Sequence, residues 1–321
     1  MRRLEPRMGL REFEAGPIKV ALGSCQGYEP DRLAQTTDEL LRAAGDFRFN
    51  GLKVLVKPNL LRAGNNGLAC THPRVTGAVC RYLKDAGARV RVGDSPGFGS
   101  ARRVARRIGL VDELKGLGVE VVNLDGAVRV RLPFGHSLGV SRQALENDLI
   151  FNLPKLKVHN QMRMTGAVKN LFGCVVGVRK AVAHTKHGDV SNRFESMLVE
   201  LQGVLPQSMA MIDGIRAMHV KGPSGGEPYS LNLMGASLSN QALDTSIYMI
   251  LNLRPDEIPL WREARARGYP GARPEDLAFP LRRPDEFDSR GFMIPKTLDP
   301  ATFHPLRLAK SAVKRAWARI V

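Results

Sequence analysis

Short apolar runs alternate along this chain with longer segments in which apolar residues recur at helical spacing. Several of the short runs are continuously apolar, as expected of β-strands that are covered on both faces. The alternation predicts an α/β protein with a mainly parallel sheet and flanking helices. The predicted strands are 18–22, 52–56, 88–92, 119–124, 148–153, 208–212 and 231–238, and the predicted helices are 31–44, 71–86, 100–117, 191–205 and 239–253.

The length of 321 residues corresponds to about two domains of ordinary size. We predict an N-terminal extension at 1–17, a larger α/β lobe at 18–205 and a smaller α/β lobe at 206–268, with the functional site between the two lobes. The remaining segment, 269–321, starts with a stretch rich in Pro, Arg and acidic residues, which indicates irregular structure.

The end of the chain, 305–321, predicts a basic amphipathic helix. Leu306, Val313 and Trp317 fall on one helical face, and most of the Lys and Arg residues lie elsewhere. Two interpretations stay open. The helix lies on an anionic membrane surface, or it packs on its own protein or on another subunit and exposes its basic face to solvent.

The chain is strongly basic, with 48 Lys and Arg against 31 Asp and Glu and a formal net charge of +17, so we expect an anionic ligand or partner. Region 153–193 contains one acidic residue, Asp189, among glycines, histidines and eight cations. This pattern predicts a loop that closes over a small anionic substrate. Nucleic acid is the less favoured ligand, because Phe172 is the one aromatic residue nearby and stacking platforms usually need more. The cations are Lys155, Lys157, Arg163, Lys169, Arg179, Lys180, Lys186 and Arg193.

The sequence predicts a cytoplasmic location. No apolar stretch follows the basic N-terminus, and no apolar run reaches the roughly 18 residues of a membrane-spanning helix. The four cysteines are too widely spaced for a zinc ribbon or a ferredoxin cluster, so we expect reduced, partly buried thiols and no intrinsic 4Fe-4S cluster. They are Cys25, Cys70, Cys80 and Cys174.

Polar residues follow several predicted strands at their carboxyl ends, where open parallel sheets bind ligands. We predict a pocket at this edge, and three sets of residues in it. The catalytic set is His159, His72 and Lys169; the substrate-binding set is Lys57, Asn59, Lys155, Lys157 and Asn170; the set that orients groups or binds a divalent metal is Asp94, Asp213 and Asp244.

Structural roles remain open for several of these residues. Asp94 could form an Asx-type turn, and Asp244 could interact with a helix dipole. Thr71 is the expected N-cap of a helix with Pro73 in its first turn, and His72 beside it is then expected to be neutral. A standard dinucleotide or nucleoside triphosphate site is disfavoured, because neither G-x-G-x-x-G nor a P-loop occurs.

Seven motifs together resemble the uncharacterised family called domain of unknown function 362. The resemblance implies no established reaction. Many relatives carry a two-cluster ferredoxin domain, which implies a separate ferredoxin-like protein as one partner for this chain. The motifs are KPNLL at 57–61, THP at 71–73, GDSPG at 93–97, PKLKVH at 154–159 followed by TGAVKNLFG at 165–173, MIDGI at 211–215, KGPSGGEP at 221–228 and the stretch 237–244.

A shorter pattern is similar to a motif of the nickel-pincer lactate racemases. Lys157-x-His159 is followed by Thr165-Gly166 and then by Lys169. This resemblance implies that His159 is the acid or base and that Lys169 anchors a pyridinium-derived cofactor. The chain departs from the motif at Val158, Val168, Asp94 and Ser95.

These observations predict a cytosolic enzyme that acts on a small anionic, carboxylate-like substrate by acid/base or redox-linked chemistry, with metal assistance as one option. An isomerase or an oxidoreductase-like reaction fits this description. The alternative is a non-catalytic protein that binds nucleic acid or an anionic membrane, or that serves a separate iron–sulfur electron carrier.

Overall fold

The computed structural model describes residues 16–96, 99–133, 135–177, 180, 183, 187–188 and 190–300. The predicted C-terminal helix and most of the predicted N-terminal extension lie outside these ranges. The first half contains β1 (Ile18–Ser24), α1 (Pro30–Ala44), β2 (Lys53–Pro58), α2 (Pro73–Asp85), β3 (Arg89–Asp94), α3 (Ala101–Arg107), α4 (Leu110–Lys115), β4 (Val121–Asn123), β5 (Ala127–Arg131), β6 (Ser137–Ser141), α5 (Arg142–Leu145) and β7 (Leu149–Leu153).

The second half continues the alternation with one short hairpin added to it. Its elements are β8 (Lys155–His159), β9 (Arg163–Thr165), α6 (Ala167–Asn170), α7 (Arg193–Val204), β10 (Ser208–His219), β11 (Glu227–Tyr229), β12 (Leu233–Ser237), α8 (Asn240–Ile250), α9 (Pro259–Ala266) and β13 (Leu277–Ala278).

One large sheet forms the centre of the molecule, with the strand order β13-β1-β12-β10-β7-β2-β3-β4. Every strand on this path except β12 runs in the same direction, since β12 is antiparallel to both β1 and β10 and the other pairs are parallel. The predicted α/β fold with a mainly parallel sheet is therefore confirmed. The carboxyl ends of the parallel strands meet at one edge.

Helices cover both faces of this sheet. Val54 and Val56 of β2 belong to a core with α1 and α2, whereas Leu55 between them packs into a core with α7. A third core joins β1 and β10 to α8 and α9. Burial on both faces explains the continuously apolar strands of the sequence.

The predicted lobe boundary at 205/206 falls between α7 and β10. Strands on its two sides hydrogen-bond to one another, because β7 pairs with β10 and β1 pairs with β12. The division into two lobes stays a prediction. Within the described ranges, no helix has both the length and the apolar composition needed to cross a bilayer.

The structure corrects several predicted elements. The helix predicted at 100–117 is two helices, because Gly109 adopts φ 79° between α3 and α4. The N-cap of α2 is His72 rather than Thr71, since the Thr71 hydroxyl instead donates to the carbonyl oxygen of Leu153. The hairpin β5–β6 and helix α9 were not predicted.

The loop predicted in region 153–193 is wrong for residues 155–174, which form β8, β9, α6 and a 3-10 turn. Pro154 separates β7 from β8, and β8 then pairs with the distal half of β10. The sequence KLKVH alternates cationic and apolar residues, as a strand with one polar face does. Leu156 and Val158 enter the apolar core, so the three polar side chains lie on the other face.

Candidate functional site

Two buried lysine–aspartate pairs lie at the carboxyl edge of the sheet. Lys57 Nζ is 2.9 Å from Asp94 Oδ1, and Lys155 Nζ is 2.9 Å from Asp213 Oδ2. We call them the inner pair and the cleft pair, respectively. Both sets of side chains are almost wholly removed from solvent, so each charge depends on its partner and on nearby polar groups.

The inner pair is saturated with hydrogen bonds. The second oxygen of Asp94, Oδ2, accepts from the backbone N–H of Leu60 at 2.8 Å, and Oδ1 accepts from that of Ser95 at 2.9 Å. Lys57 Nζ also donates to Pro58 O and to Asn170 Oδ1, both at 3.3 Å. Gly173 packs so close that a Cβ atom there would overlap Lys57 and Asp94.

A ladder of buried amides extends the inner pair across the sheet. Asn170 Nδ2 donates to Lys57 O at 3.1 Å and to Asn152 Oδ1 at 2.8 Å. Asn152 Nδ2 donates to Ala167 O at 2.8 Å and to Asn240 Oδ1 at 2.7 Å. These bonds join β2, β7, α6 and α8, so the inner pair and its ladder fix the position of α6.

The cleft pair is shared with a tyrosine and with the start of α2. Tyr28 Oη donates to Asp213 Oδ1 at 3.4 Å and lies 3.4 Å from Lys155 Nζ. The backbone N–H of His72 donates to Asp213 Oδ2 at 2.9 Å. Burial and the adjacent Asp213 carboxylate raise the pKa of Tyr28 far above its ordinary value, so its hydroxyl stays protonated.

His72 stacks on Tyr28 with ring centroids 3.6 Å apart and planes 11° apart. Its Nδ1 accepts from the backbone N–H of Arg74 at 3.3 Å, which makes His72 the N-cap of α2. Desolvation lowers the pKa of His72 to about 4, so the ring is neutral at pH 7, as the sequence led us to expect. Because Nδ1 is the acceptor, the ring proton of this neutral form is on Nε2.

A cleft of about 380 Å³ opens over the cleft pair. Tyr28, His72 and Lys155 line it, together with the exposed arginines Arg74 and Arg216. Among the described residues that line it, Glu113 is the one carboxylate. The cleft therefore presents hydrogen-bond donors and an excess of positive charge.

Two further lysines, Lys157 and Lys169, do not line the cleft. Lys157 is 1% exposed and donates to Ala69 O at 2.7 Å. Burial lowers its pKa to about 7, and the positive charges of Lys169 and Lys155 contribute to the lowering. Burial also lowers the pKa of Lys169, on α6, to about 8. Such amines can gain or lose a proton near neutral pH.

Asp244 on α8 holds the beginning of α6. Its Oδ1 accepts from the N–H of Ala167 at 2.5 Å and its Oδ2 accepts from that of Val168 at 3.0 Å. Desolvation raises the pKa of Asp244 to about 7, although these two hydrogen bonds oppose the shift. Asp244 thus positions the helix that carries Lys169 and Asn170.

The structure divides the predicted site residues between these places. His72, Lys155 and Asp213 meet at the cleft, whereas Lys57, Asn170 and Asp94 meet in the inner pair. Asn59 supports the cleft wall through a 2.6 Å bond to Ala69 O. His159 lies at the far end of β8, where its Nδ1 accepts from the N–H of Gln161 at 3.1 Å, and it does not line the cleft.

Tyr28, Arg216 and Asn152 are site residues that the sequence analysis missed. Tyr28 follows β1, whose carboxyl end lies at the same edge as the ends of β2 and β3, so inspecting that end would have found it. Arg216 lies on β10 past Asp213, beyond the end of the strand predicted at 208–212. Asn152 is a polar residue inside an apolar strand, which is itself a signal of a buried hydrogen-bond network.

The carboxylates considered as metal ligands all have protein partners. Asp94 and Asp213 pair with lysines, and Asp244 binds two backbone N–H groups. In the part of the chain that the structure describes, no group of three His, Cys, Asp or Glu side chains is arranged to hold a metal ion. The four cysteines are free and buried.

The fold and the site define an α/β protein with a mainly parallel sheet. Two buried lysine–aspartate pairs lie at the carboxyl edge of that sheet. The family model described as Domain of unknown function (DUF362) matches residues 54–248. The chain belongs to this family, which confirms the resemblance of its seven motifs.

One relative is similar over nearly the whole chain. The thylakoid-associated protein sll1697 of Synechocystis sp. is 38% identical over 308 residues, which cover 94% of this chain and 95% of the relative. Its name describes an association with thylakoids and no reaction.

Two solved structures are similar to parts of the fold. The lactate racemase apoprotein of Thermoanaerobacterium thermosaccharolyticum has a TM-score of 0.45 and 14% identity, covering 73% of this chain and 57% of the racemase. A protein of Thermotoga maritima has a TM-score of 0.35 and 13% identity, covering 63% of this chain and 54% of that one. This chain thus spans little more than half of either structure.

Proposed function

We propose that the cleft binds a small carboxylate substrate and carries out acid/base chemistry on it. The observation that supports this function is the convergence of Tyr28, His72 and Lys155 on Asp213 beneath the rim formed by Arg74 and Arg216. A volume of about 380 Å³ is at the small end of ordinary ligand sites.

The rim supplies recognition. Arginine binds a carboxylate through two parallel N–H donors, and this geometry favours a planar anion over a spherical one. Arg74 and Arg216 are exposed while Lys155 is buried. A carboxylate held by the rim would therefore direct the rest of a short substrate toward Lys155, His72 and Tyr28.

His72 and Lys155, which lie below the two arginines, supply the groups for the chemistry. Neutral His72 donates from Nε2 to a substrate oxygen, and the Lys155 ammonium donates a second hydrogen bond or a proton. Donors fixed in a site of low polarity stabilise negative charge that develops on the substrate during reaction. Asp213 accepts from the backbone N–H of His72 and pairs with Lys155, so it holds the main chain of His72 and orients the Lys155 ammonium.

Ligand-observed NMR with a panel of short mono- and dicarboxylates tests this function. We expect saturable binding by the wild-type protein, and a loss of about tenfold or more in affinity for Arg216→Met and for Lys155→Met, since each removes a charge-assisted hydrogen bond. Arg48→Met is the matched control because Arg48 is exposed and precedes β2 at the opposite edge of the sheet. Equal affinity in all three variants would contradict the assignment.

Salt dependence separates this function from nucleic-acid binding. Contacts to six or more phosphates weaken by about a thousandfold or more between 50 and 200 mM salt. We expect carboxylate binding in the cleft to weaken far less, because Lys155 is buried and screened little. Tight, steeply salt-dependent binding of DNA or RNA, without carboxylate binding, would favour the alternative.

Association with an anionic membrane is a second candidate function. The name of the Synechocystis relative favours it, as does the basic, apolar-striped sequence at 305–321. Co-sedimentation with vesicles that contain anionic lipid tests it. Replacing Lys310, Lys314 and Arg315 by Gln should abolish binding, whereas replacing Arg103, Arg106 and Arg107 on the exposed face of α3 should not. Equal losses for both triple variants would reject this role for the C-terminal segment.

A further inference from the structure

The hairpin β8–β9 has one polar face, of which Lys155 lines the cleft and Lys157 does not. Lys157 on β8 lies directly opposite Thr165 on β9 in the antiparallel pairing. Residues opposed in this way project to the same side, with Cβ atoms about 4.5–5.5 Å apart. The other side of the hairpin carries Leu156, Val158 and Met164, which belong to the apolar core.

A buried hydroxyl on this polar face has no partner. Thr165 is 5% exposed, and its Oγ1 makes no hydrogen bond within the part of the chain that the structure describes. Burying a hydroxyl without a hydrogen-bond partner is unfavourable, so the unpartnered Thr165 hydroxyl indicates that a ligand group binds there.

Positive charge beside this face is also uncompensated. Lys157 is buried, and Lys169 is half-buried on α6, which begins two residues after Thr165. Among the described residues, neither lysine forms an ion pair. The two ammonium groups repel each other. Lys157 has Ala69 O as its hydrogen-bond acceptor, which leaves two of its three N–H donors available.

We propose that Lys157, Lys169 and Thr165 form an inner oxyanion site that binds a phosphoryl group. A phosphate monoester carries about −1.5 to −2 charge at pH 7 and three strong acceptor oxygens, which matches two ammonium groups and one hydroxyl donor. A single carboxylate would balance one of the two charges. None of these three residues lines the cleft, whereas their neighbours Cys70 and Lys155 do, so the inner oxyanion site lies behind the cleft wall and does not rest on the carboxylate function.

Thermal unfolding in inorganic phosphate, compared with chloride at equal ionic strength and pH 7, tests the inner oxyanion site. At a hundredfold excess over the dissociation constant, we expect phosphate to raise the unfolding midpoint by roughly 5 °C. Lys157→Met should abolish this rise. Thr165→Val keeps the shape of the side chain and should weaken phosphate binding by about tenfold.

Lys53→Met is the matched control, because Lys53 is exposed at the opposite end of β2. It should respond to phosphate as the wild-type protein does. The proposal is overturned if phosphate stabilises the wild-type protein no more than chloride does, or if Lys157→Met and Thr165→Val respond as the wild type does. Thr165→Val keeps the test valid if Lys157→Met fails to fold.

Phosphorus NMR of gently purified protein identifies the source of the phosphoryl group. A co-purifying phosphate ester resonance that is displaced in Thr165→Val would assign the inner oxyanion site to an organic ligand. Added inorganic phosphate that binds the wild-type protein and is lost in Thr165→Val would assign the site to the free ion. Either result supports the site, and neither depends on carboxylate binding in the cleft.

Discussion

The inner pair and the cleft pair have the same chemistry and different surroundings. Both join a lysine to an aspartate at 2.9 Å on neighbouring strands. The inner pair is enclosed by Asn170, Gly173 and two backbone N–H groups. The cleft pair contacts a tyrosine and a cleft that admits solvent. Because the inner pair is enclosed, we interpret it as a structural element. Because a ligand can reach the cleft pair, we interpret that pair as a candidate for chemistry.

Removing one partner of the inner pair should have the largest effect on stability. Asp94→Ala leaves the ammonium of Lys57 buried without a counter-charge, which costs about 3–5 kcal/mol. Urea denaturation measures the loss. Asp38→Ala removes an exposed partner of Arg42 and should cost less than about 1 kcal/mol. Similar losses for the two variants would show that the inner pair is not enclosed.

The corresponding change in the cleft pair should cost less. Asp213→Ala leaves Lys155 at the cleft, where water can solvate the ammonium, so we expect a loss of about 2 kcal/mol in urea denaturation. If the two pairs differ as described, Asp213→Ala loses less unfolding free energy than Asp94→Ala does. An equal or larger loss would remove the distinction between the two pairs.

His72 should make the cleft sensitive to acid. Its pKa is lowered to about 4 in the folded protein and is about 6.5 when unfolded, so the unfolded chain binds more protons between these values. Stability should therefore fall as the pH decreases from 6.5 toward 4, by about 1–2 kcal/mol after allowance for solvent.

His72→Asn provides the matched comparison for this acid sensitivity. Asparagine keeps a side-chain acceptor at the N-cap of α2 and does not titrate. The difference in unfolding free energy between the wild type and this variant should be constant above about pH 7. It should shift against the wild type as the pH falls from 6.5 to 4. A pH-independent difference would show that His72 is not desolvated in the cleft.

The smallest effect is expected at Asp244. Asp244→Asn leaves one acceptor oxygen for the two N–H groups at the start of α6 and also removes a buried charge, so we expect the two effects to offset and the net change in unfolding free energy to stay within about 1 kcal/mol near pH 7. The pKa of Asp244 is raised to about 7, so its charged form is disfavoured by folding. Its destabilising contribution should therefore grow as the pH rises from 4 to 7, and Asn should remove it. Urea titrations at pH 5 and pH 8 measure the difference.

The sequence was sufficient to predict most of the sheet, for a physical reason. Strands such as 52–56 and 148–153 are buried on both faces, so their apolar composition does not depend on tertiary detail. β8 was missed because Lys155, Lys157 and His159 were interpreted as a polar strand end. Their burial depends on partners that are distant in the chain, such as Asp213, and local pattern does not reveal these partners.

Prediction of the site was limited in the same way. Strand ends identified Lys57, Asp94, Lys155 and Asp213 as polar groups at one edge. Their division into an enclosed pair and an accessible pair arises from Gly173, α6 and the wall at 68–70, which the sequence does not place. Charge and residue type therefore indicated where the polar groups lie, and packing determines which of them a ligand can reach.

The position of β1 has a consequence for synthesis of the protein. Val20 pairs with Ser237 and Ile18 pairs with Leu277. β1 therefore cannot form these strand pairings until both partner strands have been synthesised. At ribosomal rates of about 5–20 residues per second, that interval is roughly 10–50 s. During this time both edges of β1 lack their partners, so an apolar strand stays open to aggregation. Truncated chains that end before β12 should accordingly be the aggregation-prone products of interrupted translation.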